Sequence, residues 1–93
     1  IITGDSAGGN LAAALTCLLI KLKLRVPDGV VLVYPALNLN YDNYTPSLLA
    51  TLDEPILPHT YLKLCLQSYI QNANFKPDLD PFLSPIHCCK DLL

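Results

Sequence analysis

The sequence is short of charge: of its 93 residues, 15% are Asp, Glu, Lys or Arg, against about a quarter in an ordinary soluble domain. Neither sign dominates, and six basic residues against eight acidic ones leave a net charge of -2. Without a basic stripe a chain cannot neutralise a row of phosphates or hold an anionic surface by charge, so nucleic acid is not expected as a partner. Long apolar runs are absent too. The longest, Asn10 to Ile20, holds about ten apolar residues before Lys21, whereas a membrane-crossing helix needs roughly twenty; no transmembrane segment is expected. Methionine is missing altogether and the chain opens on Ile1-Ile2-Thr3, which reads as an internal fragment that says nothing about a leader. The four cysteines, Cys17, Cys65, Cys88 and Cys89, match no zinc-binding spacing, and the adjacent Cys88 and Cys89 are badly placed to bond each other. They read as reduced thiols in a cytoplasmic protein. No metal and no cofactor is expected.

What is present belongs to a globular core. A hydrophobic share of 52%, with eight prolines and four glycines, excludes collagen, coiled coil and low-complexity tail, and this length allows one small domain at most. Ile1-Ile2-Thr3 reads as the end of a strand. After it, Leu11, Leu15, Leu18, Leu19 and Leu22 recur at three- and four-residue spacing, which predicts a helix with its leucine face against a sheet. Three alanines at 12 to 14 add helix propensity, and Lys21, Lys23 and Arg25 suit the negative end of its dipole. Pro27-Asp28-Gly29 turns the chain. Val30-Val31-Leu32-Val33-Tyr34 is a continuous apolar run, which predicts a strand buried on both faces. Strand, helix, strand makes a βαβ unit with a parallel sheet, so the fold class is α/β. Beyond Pro35 the chain becomes a polar loop, and Thr45-Pro46 opens a short helix to about Leu52, ended by Pro55. Pro58 opens another to about Gln71, with Leu62, Cys65, Leu66 and Tyr69 inward and Lys63, Gln67 and Gln71 outward. Residues 72 to 85 read as an irregular connection.

The chemistry lies at Gly4-Asp5-Ser6-Ala7-Gly8, a G-x-S-x-G motif with a strand before it and a helix after it. A serine hydroxyl is a weak nucleophile, so it must project on a sharp turn where a histidine can reach it. Such a turn holds the serine in a strained backbone conformation and brings chain close on both sides, where side chains at Gly4 and Gly8 would collide. Because Ser6 also precedes a helix N-terminus, the Ala7 amide can point at a developing oxyanion and the helix dipole favours the negative charge. A phosphate-binding loop is the weaker reading, since no Lys-Ser/Thr follows the glycines and no G-x-G-x-x-G is present.

Gly4-Asp5-Ser6-Ala7-Gly8-Gly9-Asn10 resembles the nucleophile elbow of the hormone-sensitive lipase group of α/β-hydrolases. Arg25-Val26-Pro27-Asp28-Gly29, Tyr34-Pro35-Ala36, Pro46-Ser47-Leu48-Leu49, Asp53-Glu54-Pro55-Ile56-Leu57-Pro58 and Phe82-Leu83-Ser84-Pro85 are similar to further stretches of the same group. The resemblance implies that residues 1–93 are part of an α/β-hydrolase catalytic domain cut at both ends. It implies Ser6 as nucleophile, the Ala7 amide as one oxyanion donor, and Gly8 and Gly9 as the residues that let the helix pack close to the strand. Substrates would be esters or acylglycerol lipids, in the cytoplasm with access to a lipid-droplet surface. The group's other oxyanion donors come from an H-G-G-G loop, expected before Ile1, and its acid and histidine are expected beyond Leu93. Its vertebrate members carry a long phosphorylated insertion for which Tyr69 to Phe82 leaves no room; Ser68 and Ser84 remain as residues open to modification.

Other chemistry-bearing residues read as structural. Asp80-Pro81-Phe82-Leu83-Ser84 imitates the group's acid turn, but Asn72-Ala73-Asn74-Phe75-Lys76-Pro77 is no strand to carry it. His87 lacks the Gly and aromatic neighbours of the group's base, and His59 opens a helix. Asp5 is expected to hydrogen-bond within the elbow, Asp78 and Asp80 to be solvated, and Asp53-Glu54 to terminate the short helix. Alternatives are a small-ester carboxylesterase or deacetylase of the same fold, a binding relative without catalysis, and a truncated gene product. A βαβ unit of this size leaves open sheet edges and an uncovered helix face, so the isolated chain is expected to be aggregation-prone or partly disordered.

Overall fold

The computed structural model describes residues 1–42, 44–50, 52–71, 76–77 and 79–88. They fall into two compact units, Ile1–Leu39 with Lys76–Leu93, and Asn40–Phe75. Asp78, Cys89, residues 72–75 and residues 91–93, on which some of the expectations above fall, lie outside the described residues.

In the first unit, strand β1 (Ile2–Asp5), helix α1 (Ala7–Lys21) and strand β2 (Val30–Val33) follow one another. The two strands pair in parallel, with Ile2 opposite Val30 and Asp5 opposite Val33. The ladder runs one bond further at each end: Ile2 N–H donates to Gly29 O at 2.9 Å and Ser6 N–H to Val33 O at 3.0 Å. The βαβ reading is therefore correct.

Two expectations about its packing are not. Helix α1 buries Gly9, Asn10, Ala12, Ala14 and Cys17, while Leu11, Leu15, Leu18 and Leu22 are 38 to 60% exposed. The leucine stripe is the face turned away from the sheet. Both stripes repeat at helical spacing, and what selects the small one is how closely the helix approaches β1. A Cβ on Gly9 would stand 2.8 Å from Pro35 Cβ, closer than packed atoms come, and leucines have no room on that side. Strand β2, expected from Val30 to Tyr34 with both faces buried, ends at Val33 and leaves Val30, Val31 and Val33 exposed. Two strands with one helix cover only part of a sheet. Tyr34 leaves the ladder at φ 35° because Pro35 has no N–H to continue the pairing.

Helix α1 ends in a Schellman arrangement. Lys23 N–H donates to Ile20 O at 3.0 Å and Leu24 N–H to Leu19 O at 2.9 Å, which satisfies two carbonyls of the last turn. Lys23 occupies the left-handed position at φ 55°, where glycine is the usual residue. Beyond it, Arg25 and Asp28 pair at 3.6 Å, with both side chains at least 80% exposed, an ion pair of little consequence for stability.

In the second unit, Thr45 starts helix α2 (Pro46–Ala50): its hydroxyl accepts from Leu48 N–H at 3.3 Å and its carbonyl from Leu49 N–H at 3.0 Å. The helix was expected to reach about Leu52; Thr51 lies outside the described residues and Leu52 stands in a turn. The Glu54 carboxylate then accepts from Ile56 N–H at 3.0 Å and Leu57 N–H at 2.6 Å, so it shapes the loop after the helix. Helix α3 (His59–Ile70) follows Pro58, whose carbonyl accepts from Tyr61 and Leu62 N–H, both at 3.1 Å. Its inward face differs from the expected one. Cys65 and Tyr69 are exposed, Leu62 and Leu66 half-buried, and His59 is the buried residue. Lys63, expected outward, folds back onto the loop, with its ammonium 3.5 Å from the Asp42 carboxylate and 5.6 Å from the Tyr41 ring centroid.

Replacing Lys23 by Gly should raise the stability of the protein by about 0.5–1 kcal/mol, because it relieves the left-handed backbone without removing a buried contact. A thermal melt checks this, and a lowered midpoint would contradict the Schellman assignment.

Candidate active site

The site begins with one backbone unit. Ser6 sits between β1 and α1 at φ 50° and ψ -117°, a conformation that costs a residue with a side chain on the order of 1–3 kcal/mol. Three hydrogen bonds hold it there. Ser6 N–H donates to Val33 O, while Ser6 O accepts from Asn10 N–H at 3.2 Å and from Ala36 N–H at 3.1 Å. The first of these bonds continues the sheet, the second opens the helix, and the third ties in the segment after β2. The side chain is left outside this network: Ser6 is exposed, and its hydroxyl has no hydrogen-bond partner among the described residues.

The glycines around it act in different ways. A Cβ on Gly4 would run into the Gly8 carbonyl, so Gly4 is required, as expected. Gly8 is not required for the reason expected: a Cβ there would meet only the Asp5 carboxylate at 3.9 Å, an ordinary contact. Gly8 contributes its backbone, on which Gly4 rests. Gly9 does carry the close approach, packed against Pro35 and the Gly4 carbonyl. Ala7 is the first residue of α1, and its amide has no acceptor among the described residues. A free amide at the positive end of a helix, next to an exposed hydroxyl, can receive a negative oxygen.

The sequence did not reveal what Asn10 does. Asn10 is 4% exposed, and its Nδ2 donates to Ala36 O at 2.7 Å and to Leu83 O at 2.8 Å. Both amide hydrogens are used on carbonyls 26 and 73 positions away in the chain. Ser84, fully buried, accepts from Leu39 N–H at 2.9 Å, and Ile86 N–H donates to Leu37 O at 3.1 Å. The stretch Leu83 to Ile86 therefore braces the loop that holds Ser6. Ser84, expected to be open to modification, is not accessible; Ser68 is exposed and donates to Leu64 O at 2.9 Å.

None of the remaining candidates is hydrogen-bonded to the hydroxyl among the described residues. His87 is exposed on a 3-10 turn (Pro85–His87) and makes no bond to Ser6. His59, in the second unit, packs against Tyr44 with ring centroids 5.3 Å apart. Asp5 was expected to hydrogen-bond within the elbow, but its carboxylate is exposed and makes no hydrogen bond among the described residues. It is the last residue of β1, where its side chain points away from the helix-covered interior, as the alternating burial of the strand records. Asp80 Oδ1 accepts from Phe82 N–H at 2.8 Å, a local turn bond that explains its place in the sequence. A pocket lined by Leu49, Ala50, Leu52, Asp53 and Glu54 belongs to the second unit and contains none of the elbow residues.

A parallel strand pair, with a sharp turn from strand into helix that projects a serine, is the local architecture of the α/β hydrolases. The chain belongs to the α/β-hydrolase fold family, whose pattern it matches over residues 1–93. It is similar to hormone-sensitive lipase of Mus musculus, with 38% identity over 68 residues, and to that of Homo sapiens, with 40% over 68 residues. These matches cover 73% of this chain but 9% and 6% of the two lipases. Neutral cholesterol ester hydrolase 1 of Mus musculus is 43% identical over 82 residues, or 80% of this chain and 19% of that protein. The chain thus spans less than a fifth of the relatives it matches.

Two pairs of substitutions test this geometry by thermal melting of the full-length protein. Gly9→Ala should destabilise by roughly 1–3 kcal/mol through overpacking against Pro35, whereas Gly8→Ala should be neutral or slightly stabilising, since Ala is the better helix former. Asn10→Asp should cost about 3 kcal/mol, because it turns a carboxylate toward two buried carbonyls. Asn10→Ala should cost about 2 kcal/mol, from the two carbonyls left unpaired.

Proposed function

We propose that the protein containing this chain is a serine ester hydrolase, with Ser6 as nucleophile and the Ala7 amide as one donor to the oxyanion. The observation that carries this reading is the backbone of Ser6: a strained turn pinned by three hydrogen bonds, with the hydroxyl exposed and unpartnered. A serine used only to cap a helix would bond the first turn through its side chain, and Ser6 makes no such bond.

Ser6 Oγ attacks the ester carbonyl carbon as a histidine of the complete protein takes its proton. Charge then collects on the former carbonyl oxygen, beside the Ala7 amide and the helix N-terminus. The histidine returns the proton to the leaving alcohol, which leaves an acyl group on Ser6, and water activated by the same base releases the acid. No described histidine bonds to Ser6, so the 93 residues alone are expected to be inactive.

The substrate class is a carboxylic ester of a lipid, supported by the names of the relatives, a lipase and a cholesterol ester hydrolase. Contact with a lipid-droplet surface and residence in the cytoplasm belong to the same proposal. No helix among the described residues is long and apolar enough to cross a membrane.

In the full-length protein, Ser6→Ala should lower kcat for a p-nitrophenyl ester by at least about a thousandfold with the melting curve unchanged. Labelling by a fluorophosphonate, which needs an activated serine, should vanish with it. Wild-type protein that takes no label would show a binding relative without catalysis. Turnover of short esters but not of emulsified acylglycerol would move the substrate to small esters.

A further inference from the structure

Asn10 takes no chemical part in the reaction proposed for Ser6, yet it commits a buried amide to two distant carbonyls. Its backbone and its side chain meet on the same small ring of bonds. Ser6 O accepts from Asn10 N–H at 3.2 Å and from Ala36 N–H at 3.1 Å, while Asn10 Nδ2 holds Ala36 through its carbonyl at 2.7 Å. The first of these is the ordinary opening bond of a helix. The second lies outside any helix or strand, and it is the one that the Asn10 side chain secures. The same nitrogen reaches Leu83 O at 2.8 Å, so this is a place where an amide nitrogen satisfies two carbonyls and a carboxylate oxygen cannot.

We infer that Asn10 is a positioning residue for the oxyanion donor, acting through the Ser6–Ala7 peptide plane; the inference rests on the ester-hydrolase reading of Ser6. A trans peptide is planar and rigid, with the C=O of one residue and the N–H of the next on opposite edges. Ser6 O and the Ala7 N–H are therefore two ends of one plate. A single hydrogen bond on the oxygen fixes a point, whereas two fix an orientation, and with it the direction of the Ala7 amide, which has no acceptor among the described residues. Bonds accepted by the carbonyl also polarise the plate and make the N–H across it a stronger donor. An oxyanion donor has to be aimed before charge develops, so the Asn10 side chain acts in the transition state rather than in ester binding.

The test compares full-length wild-type protein with Asn10→Ala, well below the melting midpoint of either. Two readouts separate positioning from stability: the kinetic constants for a p-nitrophenyl ester, and the inhibition constant of an alkyl trifluoromethyl ketone, whose adduct with Ser6 carries the oxyanion. Asn10→Ala should lower kcat about ten- to a hundredfold, less than the loss on deleting a donor outright, with KM within about twofold. The inhibitor should weaken by the same factor. Cys17→Ala, which opens a hole on the same buried face of α1 two turns further on, should melt earlier and keep all three constants.

A folded Asn10→Ala protein that keeps kcat and inhibitor affinity, whatever its KM, overturns the inference and leaves the ester-hydrolase reading standing. Wild-type protein with neither turnover nor inhibitor binding overturns both. Where Asn10→Ala does not fold, Ala36→Pro decides, because it deletes the second bond itself. Leu37 N–H closes on Pro35 O at 3.1 Å, a turn about Ala36 whose central φ suits proline. Unchanged kcat in that variant overturns the inference as well.

Discussion

Everything in the first unit depends on how closely α1 approaches β1 at Ser6. One peptide unit there is shared by the sheet, the helix and the segment after β2, through its bonds to Val33, Asn10 and Ala36. The left-handed turn at Ser6 is unfavourable by itself, and it persists because any relaxed conformation would break a strand bond, a helix bond and a loop bond together. The close approach then selects the residues around it. Gly4 and Gly9 have no space for a side chain, and the helix face beyond them is restricted to alanine, asparagine and cysteine.

The consequence is a core with little apolar volume. Ala12, Ala14, Cys17 and Leu39 are its buried hydrophobic members among the described residues, so packing supplies less cohesion than it would in a leucine-filled core. Directional bonds take up part of that role. Asn10 reaches Leu83 across 73 positions, Ser84 reaches Leu39 across 45, and the Lys21 ammonium lies 5.3 Å from the Phe82 ring centroid. Each closes a long loop, which costs little more than closing a short one. The segment Phe82 to Ile86 is thus a brace for the elbow rather than a connection to whatever follows.

The elbow was legible in the sequence because its requirements are local. A tight strand-to-helix turn needs small residues at fixed offsets from the serine, and Gly4, Ser6 and Gly9 meet that need within six positions. Prolines marked the helix starts at Pro46 and Pro58 for the same reason, since a missing N–H acts where it stands. What stayed hidden depends on partners far along the chain. Leucines and alanines of α1 share one period, and periodicity cannot say which stripe a sheet will accept. The roles of Asn10 and Ser84 rest on carbonyls and amides dozens of residues away, and nothing next to them in the sequence points there. Gly8 was misjudged because its position in the motif implies a clash that the geometry assigns to its carbonyl instead.

The exposed surfaces and the unpartnered serine lead to one physical conclusion. A two-stranded sheet has two open edges and is marginal in water, and here it also carries an outward leucine stripe on its helix and exposed valines on β2. The Ser6 hydroxyl has a free amide next to it but no base among the described residues. A turn strained and braced to this degree would be a poor structural solution if joining β1 to α1 were all it did, since a relaxed turn would make the same connection. Under the proposed function the strain is intelligible, because it presents the hydroxyl to an incoming ester carbonyl beside the Ala7 amide.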